Sequence, residues 1–162
     1  AVAFLAASDD VTDGRVGGLG LSVGGELLLE AAAGNPALRA VVSDGAGERS
    51  VRESASRGVS AALVLPLQAV QTAAVAIVSG DAPPPALQDL VGRISPRALL
   101  LIAAGNGGGG EELNALYAES AGEPTQLWEI AEASHTAGIR ARPVAYERRV
   151  IAFLDRSLGV HR

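Results

Sequence analysis

The amino-acid sequence predicts an α/β fold: a parallel sheet with helices on both of its faces. Three observations carry this. Strand-like and helix-like segments alternate along the chain, the order that builds parallel sheets. The run Ala98–Ala103 is apolar at every position, as in a strand buried on both sides. The closing segment Pro143–Leu158 puts Tyr146, Val150, Phe153 and Leu154 on one helical face and most of its charges elsewhere.

The elements follow in order. Ala1–Ala7 reads as the end of a helix. Arg15–Leu21 reads as a strand that enters a Gly-rich turn, and Gly24–Ala33 as a helix stopped by Gly34, Asn35 and Pro36. Leu38–Ser43 is a short strand, and Gly45–Ser60 a polar loop. From Gly58 to Gly80 no residue is charged, which is long enough to span a bilayer. Pro66, Gln68, Gln71, Thr72 and the abundance of alanine instead make it a buried or cap helix from about Leu67 to Val78. Pro83-Pro84-Pro85 is a stiff connector, followed by a short helix Ala86–Val91. Gly105–Gly110 is a loop, Glu111–Ser120 a helix and Thr125–Ile130 the last strand.

With 162 residues, 48% of them apolar, the chain is large enough for one domain with a real core. Aromatics make up only 3%, so Ala, Val, Leu and Ile must build that core. There is no cysteine, which excludes disulfides, zinc–thiolate sites and a Cys nucleophile. The net charge of −5 argues against nucleic acid as a partner. The opening residues lack the basic leader of a signal peptide, so the expectation is a cytoplasmic protein.

Gly20-Leu21-Ser22-Val23-Gly24 matches G-x-S-x-G between an expected strand and an expected helix. Such a turn is sterically tight, and glycines two residues either side of the nucleophile would let strand and helix approach. The turn would raise the Ser22 hydroxyl above the sheet, with the Val23 N–H at a helix start as an oxyanion donor. A serine nucleophile needs a base. Of two histidines, His161 lies in the last two residues, whereas His135 sits in a small-residue loop after the last strand, where α/β sheets place their sites. The base needs a carboxylate. In the chain order serine, acid, histidine, Glu112 is favoured, then Glu111, both at the end of the loop after Ala98–Ala103. Asp44, at the end of the strand Leu38–Ser43, is a further candidate.

These segments together resemble the α/β-hydrolase superfamily, in its dienelactone-hydrolase and peptidase-like esterase branch. Gly18–Ala33 is similar to the nucleophile turn and the helix behind it. Ile94-Ser95-Pro96-Arg97-Ala98-Leu99-Leu100-Leu101-Ile102 resembles the penultimate strand, and Leu127-Trp128-Glu129-Ile130, His135-Thr136 and Tyr146–Asp155 resemble the last strand, the histidine loop and the final helix. The family often shows Gly-x-x-Asp where this chain has Asn106 and four glycines before Glu111, which leaves the acid open. The resemblance implies a serine hydrolase acting on a small-molecule acyl substrate, with no cofactor and no metal. It further implies that residues 1–162 form the C-terminal part of a hydrolase domain, with a cap-like insertion around 45–93. Such folds carry several strands before the nucleophile strand. The expectation is therefore a partial fold lacking its N-terminal strands, with one oxyanion donor and an uncovered sheet edge.

Two alternatives stand beside this reading. Gly18-x-Gly20-x-x-x-Gly24, with Asp44 after the next strand, resembles a Rossmann-type phosphate-binding turn and its ribose-binding acid. The second alternative is a catalytically inactive hydrolase fragment that keeps the same residues. The sequence gives neither the oligomeric state nor the acyl and leaving groups.

Overall fold

The computed structural model describes residues 2–57, 65–108 and 110–160, apart from the side chain of Asp13. Four strands form its centre: β1 (Val16–Leu21), β2 (Leu38–Asp44), β3 (Ala98–Asn106) and β4 (Thr125–Ser134). All neighbours are parallel, in the order β1-β2-β3-β4, with β1 and β4 at the edges among the described residues.

The inner strands are apolar on both sides because both sides are covered. In β3, Leu99 and Leu101 face one cluster and Leu100 and Ile102 the other, the period of two that a pleated strand imposes. The first cluster is closed by α2 (Val23–Gly34), through Leu29 and Ala32, and by two shorter helices further along the chain. The second is closed by the last helix, Pro143–Leu158, through Tyr146, Val150 and Phe153. Pro143 begins that helix and Gly159, at φ 66°, ends it, so both boundaries follow the expected stop and start chemistry.

The remaining helices are α1 (Val2–Ala6), α3 (Val51–Ser56), α4 (Leu65–Ser79), α5 (Leu87–Val91), α6 (Asn114–Ala121), α7 (Gly138–Ala141) and the closing α8 (Pro143–Leu158). The expected polar loop 45–60 contains α3. Its signal is the Ser50-x-x-Glu53 capping box: Ser50 Oγ accepts from the Glu53 N–H, and Glu53 Oε2 accepts from the Ser50 N–H. Glu53 is buried because its other oxygen accepts the Gln88 N–H at the start of α5. The expected helix from Glu111 opens instead as a 3-10 turn, Glu111–Leu113, entered through Gly110 at φ 89°. Strand β4 runs to Ser134 rather than Ile130 and so delivers His135 directly from its end.

The uncharged stretch does form a helix, α4, but none of its residues is buried, so the buried reading is corrected. Gln68, Thr72 and Ala76 turn partly inward while Leu67, Val70, Ile77 and Val78 are exposed. Residues 58–64 of that stretch lie outside the described residues. Among the described residues no helix is long and apolar enough to cross a membrane.

Candidate active site

Ser22 occupies the one-residue joint between β1 and α2 at φ 52°, ψ −129°, a conformation non-glycine residues avoid. Three backbone hydrogen bonds hold it there. The Ser22 N–H donates to the Asp44 carbonyl at 2.8 Å, and the Ser22 carbonyl accepts from Gly25 and Glu26 at 2.8 and 3.2 Å. A Cβ at Gly20 would lie 2.4 Å from the Gly24 carbonyl oxygen, so only glycine fits there. The expectation for Gly24 is corrected: a Cβ there meets open space. The crowded second position is Gly25, whose added Cβ would lie 2.5 Å from Ser43 Oγ.

His135 follows the end of β4 and reaches across to this joint. Its Nε2 lies 2.8 Å from Ser22 Oγ, and its Nδ1 lies 2.5 Å from Glu111 Oε1. Glu111 is 1% exposed, and its second oxygen accepts the Ala104 N–H at 2.7 Å. An ionised carboxylate only accepts. With Nδ1 donating to such a carboxylate, Nε2 is left to accept the Ser22 hydroxyl proton. A Cβ on Gly107 would fall 2.2 Å from Glu111 Oε1, so the glycine loop after β3 is what lets this carboxylate fold back toward the ring.

The favoured acid is corrected by this geometry. Glu112 points to the surface, where its Oε1 accepts from Arg57 Nε at 2.5 Å. Partial burial works against its charge, but a backbone N–H and Arg57 together hold its carboxyl below the usual value. The physical reason is direction: successive residues of a 3-10 turn project about 120° apart, so only one of the pair can face the histidine. His161 lies outside the described residues. The Val23 N–H, in the first turn of α2, has no acceptor among the described residues.

Asp44 is buried and does not bond the ring. Its Oδ2 accepts from the Tyr146 hydroxyl at 2.7 Å. Burial pushes its carboxyl up; Tyr146 pulls it down, Glu111 adds to the rise and His135 opposes it. A carboxyl raised in the folded state destabilises folding once the unfolded chain ionises, so this cost is absent in acid and present above the ordinary carboxylate range. Asp44→Asn, which keeps an acceptor for Tyr146, should therefore melt at or above the wild-type Tm at pH 7. That difference should close below about pH 4. Thermal melts across pH check this, and a lower Tm at pH 7 than at pH 3.5, relative to wild type, would refute it. Tyr146 was legible only as a core residue of α8; no sequence signal marks its bond to Asp44.

Gly45 was not singled out from the sequence. It sits at φ 75°, and a Cβ would lie 3.2–3.3 Å from two atoms of the His135 ring and 3.0 Å from Thr136 Cγ2. Gly45→Ala should push the ring aside and lower kcat by roughly a hundredfold with KM little changed, the scale of a 1 Å misplacement. Alanine is strained at this φ and should also lower the Tm, so steady-state kinetics well below the variant's melt would show it.

Among the described residues no group of three or more acidic or histidine side chains is arranged to hold a metal ion. The Rossmann-type alternative does not fit. Among the described residues the strand order runs from β1 to β4 with no reversal that would create a switch-point crevice, and Asp44 is engaged by Tyr146.

No protein-family model matches the sequence, and no curated protein matches it significantly. Solved structures do match. The α/β-hydrolase GrgF from a Penicillium species aligns over 98% of this chain and 69% of its own, with a TM-score of 0.71 at 16% identity. The esterase Pf2001 from Pyrococcus furiosus aligns over 98% and 59%, at 0.67 and 21%. Acetyl xylan esterase 1 from a Thermoanaerobacterium species aligns over 99% and 50%, at 0.67 and 14%. The chain has the α/β-hydrolase fold. It spans about half to two thirds of the length of these hydrolases. Within that fold, Ser22 lies at the strand-to-helix joint, and the His135 loop follows the last described strand.

Proposed function

We propose that the protein is a serine hydrolase that cleaves a carboxylic ester or related acyl compound through Ser22, His135 and Glu111, forming an acyl-enzyme. The reading is carried by one observation: the unbroken hydrogen-bond chain Glu111–His135–Ser22, ending at a strained turn. The esterase and hydrolase names of the structural neighbours support it.

Ser22 Oγ attacks the acyl carbon while His135 Nε2 takes its proton. Glu111 holds the ring in the required tautomer and stabilises the imidazolium. The Val23 N–H, at the positive end of α2, donates to the oxyanion. On collapse the imidazolium protonates the leaving oxygen, and the alcohol departs. Water then enters, loses a proton to Nε2 and attacks the acyl-enzyme; collapse returns the proton to Ser22 and frees the acid. We read residues 45–93 as a cap-like insertion that shapes the acyl pocket. Incubation with a fluorophosphonate followed by peptide mass spectrometry tests the reading: a single adduct is expected on Ser22, and no adduct there would refute it.

A further inference from the structure

We propose that the groove between the last helix and edge strand β4 binds an extended acidic peptide segment of a partner protein. The groove is independent of the hydrolytic site. It encloses about 550 Å³ and is walled by Arg142, Arg148, Arg149 and Arg156, with Trp128 on the strand side.

The charge is unusual for this molecule. Acidic residues outnumber basic ones 18 to 13 over the chain, yet four arginines line one groove. Arg142 is paired with Glu132. Arg148, Arg149 and Arg156 have no carboxylate partner among the described residues. Glu147 and Asp155 share the helix but do not line the groove. Like charges gathered without partners repel, and an incoming anion would relieve that repulsion. Arg149 is held in place, its guanidinium 4.9 Å from the centre of the Trp128 ring, and a guanidinium fork suits a carboxylate.

The shape selects an extended ligand. Arg149 and Arg156 are seven residues apart on one face of the helix, roughly 10 Å from each other, and Arg142 stands just before its first turn. Three residues of an extended polyproline II segment rise about 9 Å and bring every third side chain to one face, so acidic side chains at every third position would meet Arg149 and Arg156. Between the arginines Ala145 and Ala152 form a floor with no side chain beyond Cβ, which lets a main chain approach.

Trp128 is the only tryptophan of the chain and lies in the groove, so its fluorescence reports occupancy. The full chain would be titrated with a peptide of about nine residues carrying Glu at every third position. Its Gln counterpart and tripolyphosphate would be run in parallel. A saturable change is expected with the Glu peptide only, weakening as salt is raised. Arg148→Glu combined with Arg156→Glu should weaken it at least about tenfold without altering the melt. Equal binding of the Gln peptide, indifference to charge reversal, or saturation by tripolyphosphate alone would each overturn the proposal. So would a flat titration confirmed by anisotropy of the labelled peptide. Fluorophosphonate labelling of the double variant keeps this outcome separate from that of the hydrolytic reading.

Discussion

Ser22→Ala should lower turnover of p-nitrophenyl acetate by on the order of a millionfold, because in the proposed mechanism Ser22, His135 and Glu111 act as a unit. The backbone at residue 22 is held by Asp44, Gly25 and Glu26 rather than by the side chain, and alanine meets the same steric cost as serine at φ 52°. The variant should therefore melt like the wild type while losing fluorophosphonate labelling altogether. His135→Ala should cost about as much, since the hydroxyl is a poor nucleophile without its base. The check is turnover and labelling on the same preparation, with the melt as control. Activity of Ser22→Ala within tenfold of wild type would remove Ser22 from the mechanism and with it the proposed function.

Much of the fold could be read from the chain. Strands β2 and β3 and the closing helix lie close to where periodicity, proline and glycine put them, because each is buried on a face that its sequence pattern declares; β1, whose Leu19 and Leu21 are exposed, is marked by the glycine turn after it. The misses have physical causes. Helix α3 is six residues long and its stability comes from the Ser50–Glu53 cap, not from an apolar stripe, so a search for periodicity passes over it. Helix α4 turns Gln68 and Thr72 partly inward and exposes Val70 and Ile77, the reverse of what hydropathy implies. That Ser22 and His135 would lie together was legible because a motif and a strand end constrain their places. The acid was not. Glu111 and Glu112 are adjacent and alike, and what separates them is one turn of 3-10 geometry set by Gly110 in the left-handed region. Asp44 stood in the right place in sequence, but its side chain leaves the sheet on the α8 face and meets Tyr146 there.

That distinction gives the sharpest remaining test. Glu111→Gln preserves the shape of the side chain, and its amide oxygen can still accept the Ala104 N–H. What changes is the group facing His135. An amide NH₂ opposite Nδ1 donates rather than accepts, so the ring moves its proton to Nε2, which can then only donate to Ser22. The base is lost without any loss of packing, and kcat should fall by about ten-thousandfold with KM nearly unchanged. Glu112 is half-exposed, and Glu112→Gln removes one partner of Arg57 and nothing at the ring. Surface pairs of that kind contribute at most about 1 kcal/mol, so its kcat should stay within a factor of a few of wild type. The two variants, measured side by side with a melt for each, decide which carboxylate serves the histidine. A larger loss in Glu112→Gln than in Glu111→Gln would mean that the ring takes its orientation from the other residue during turnover.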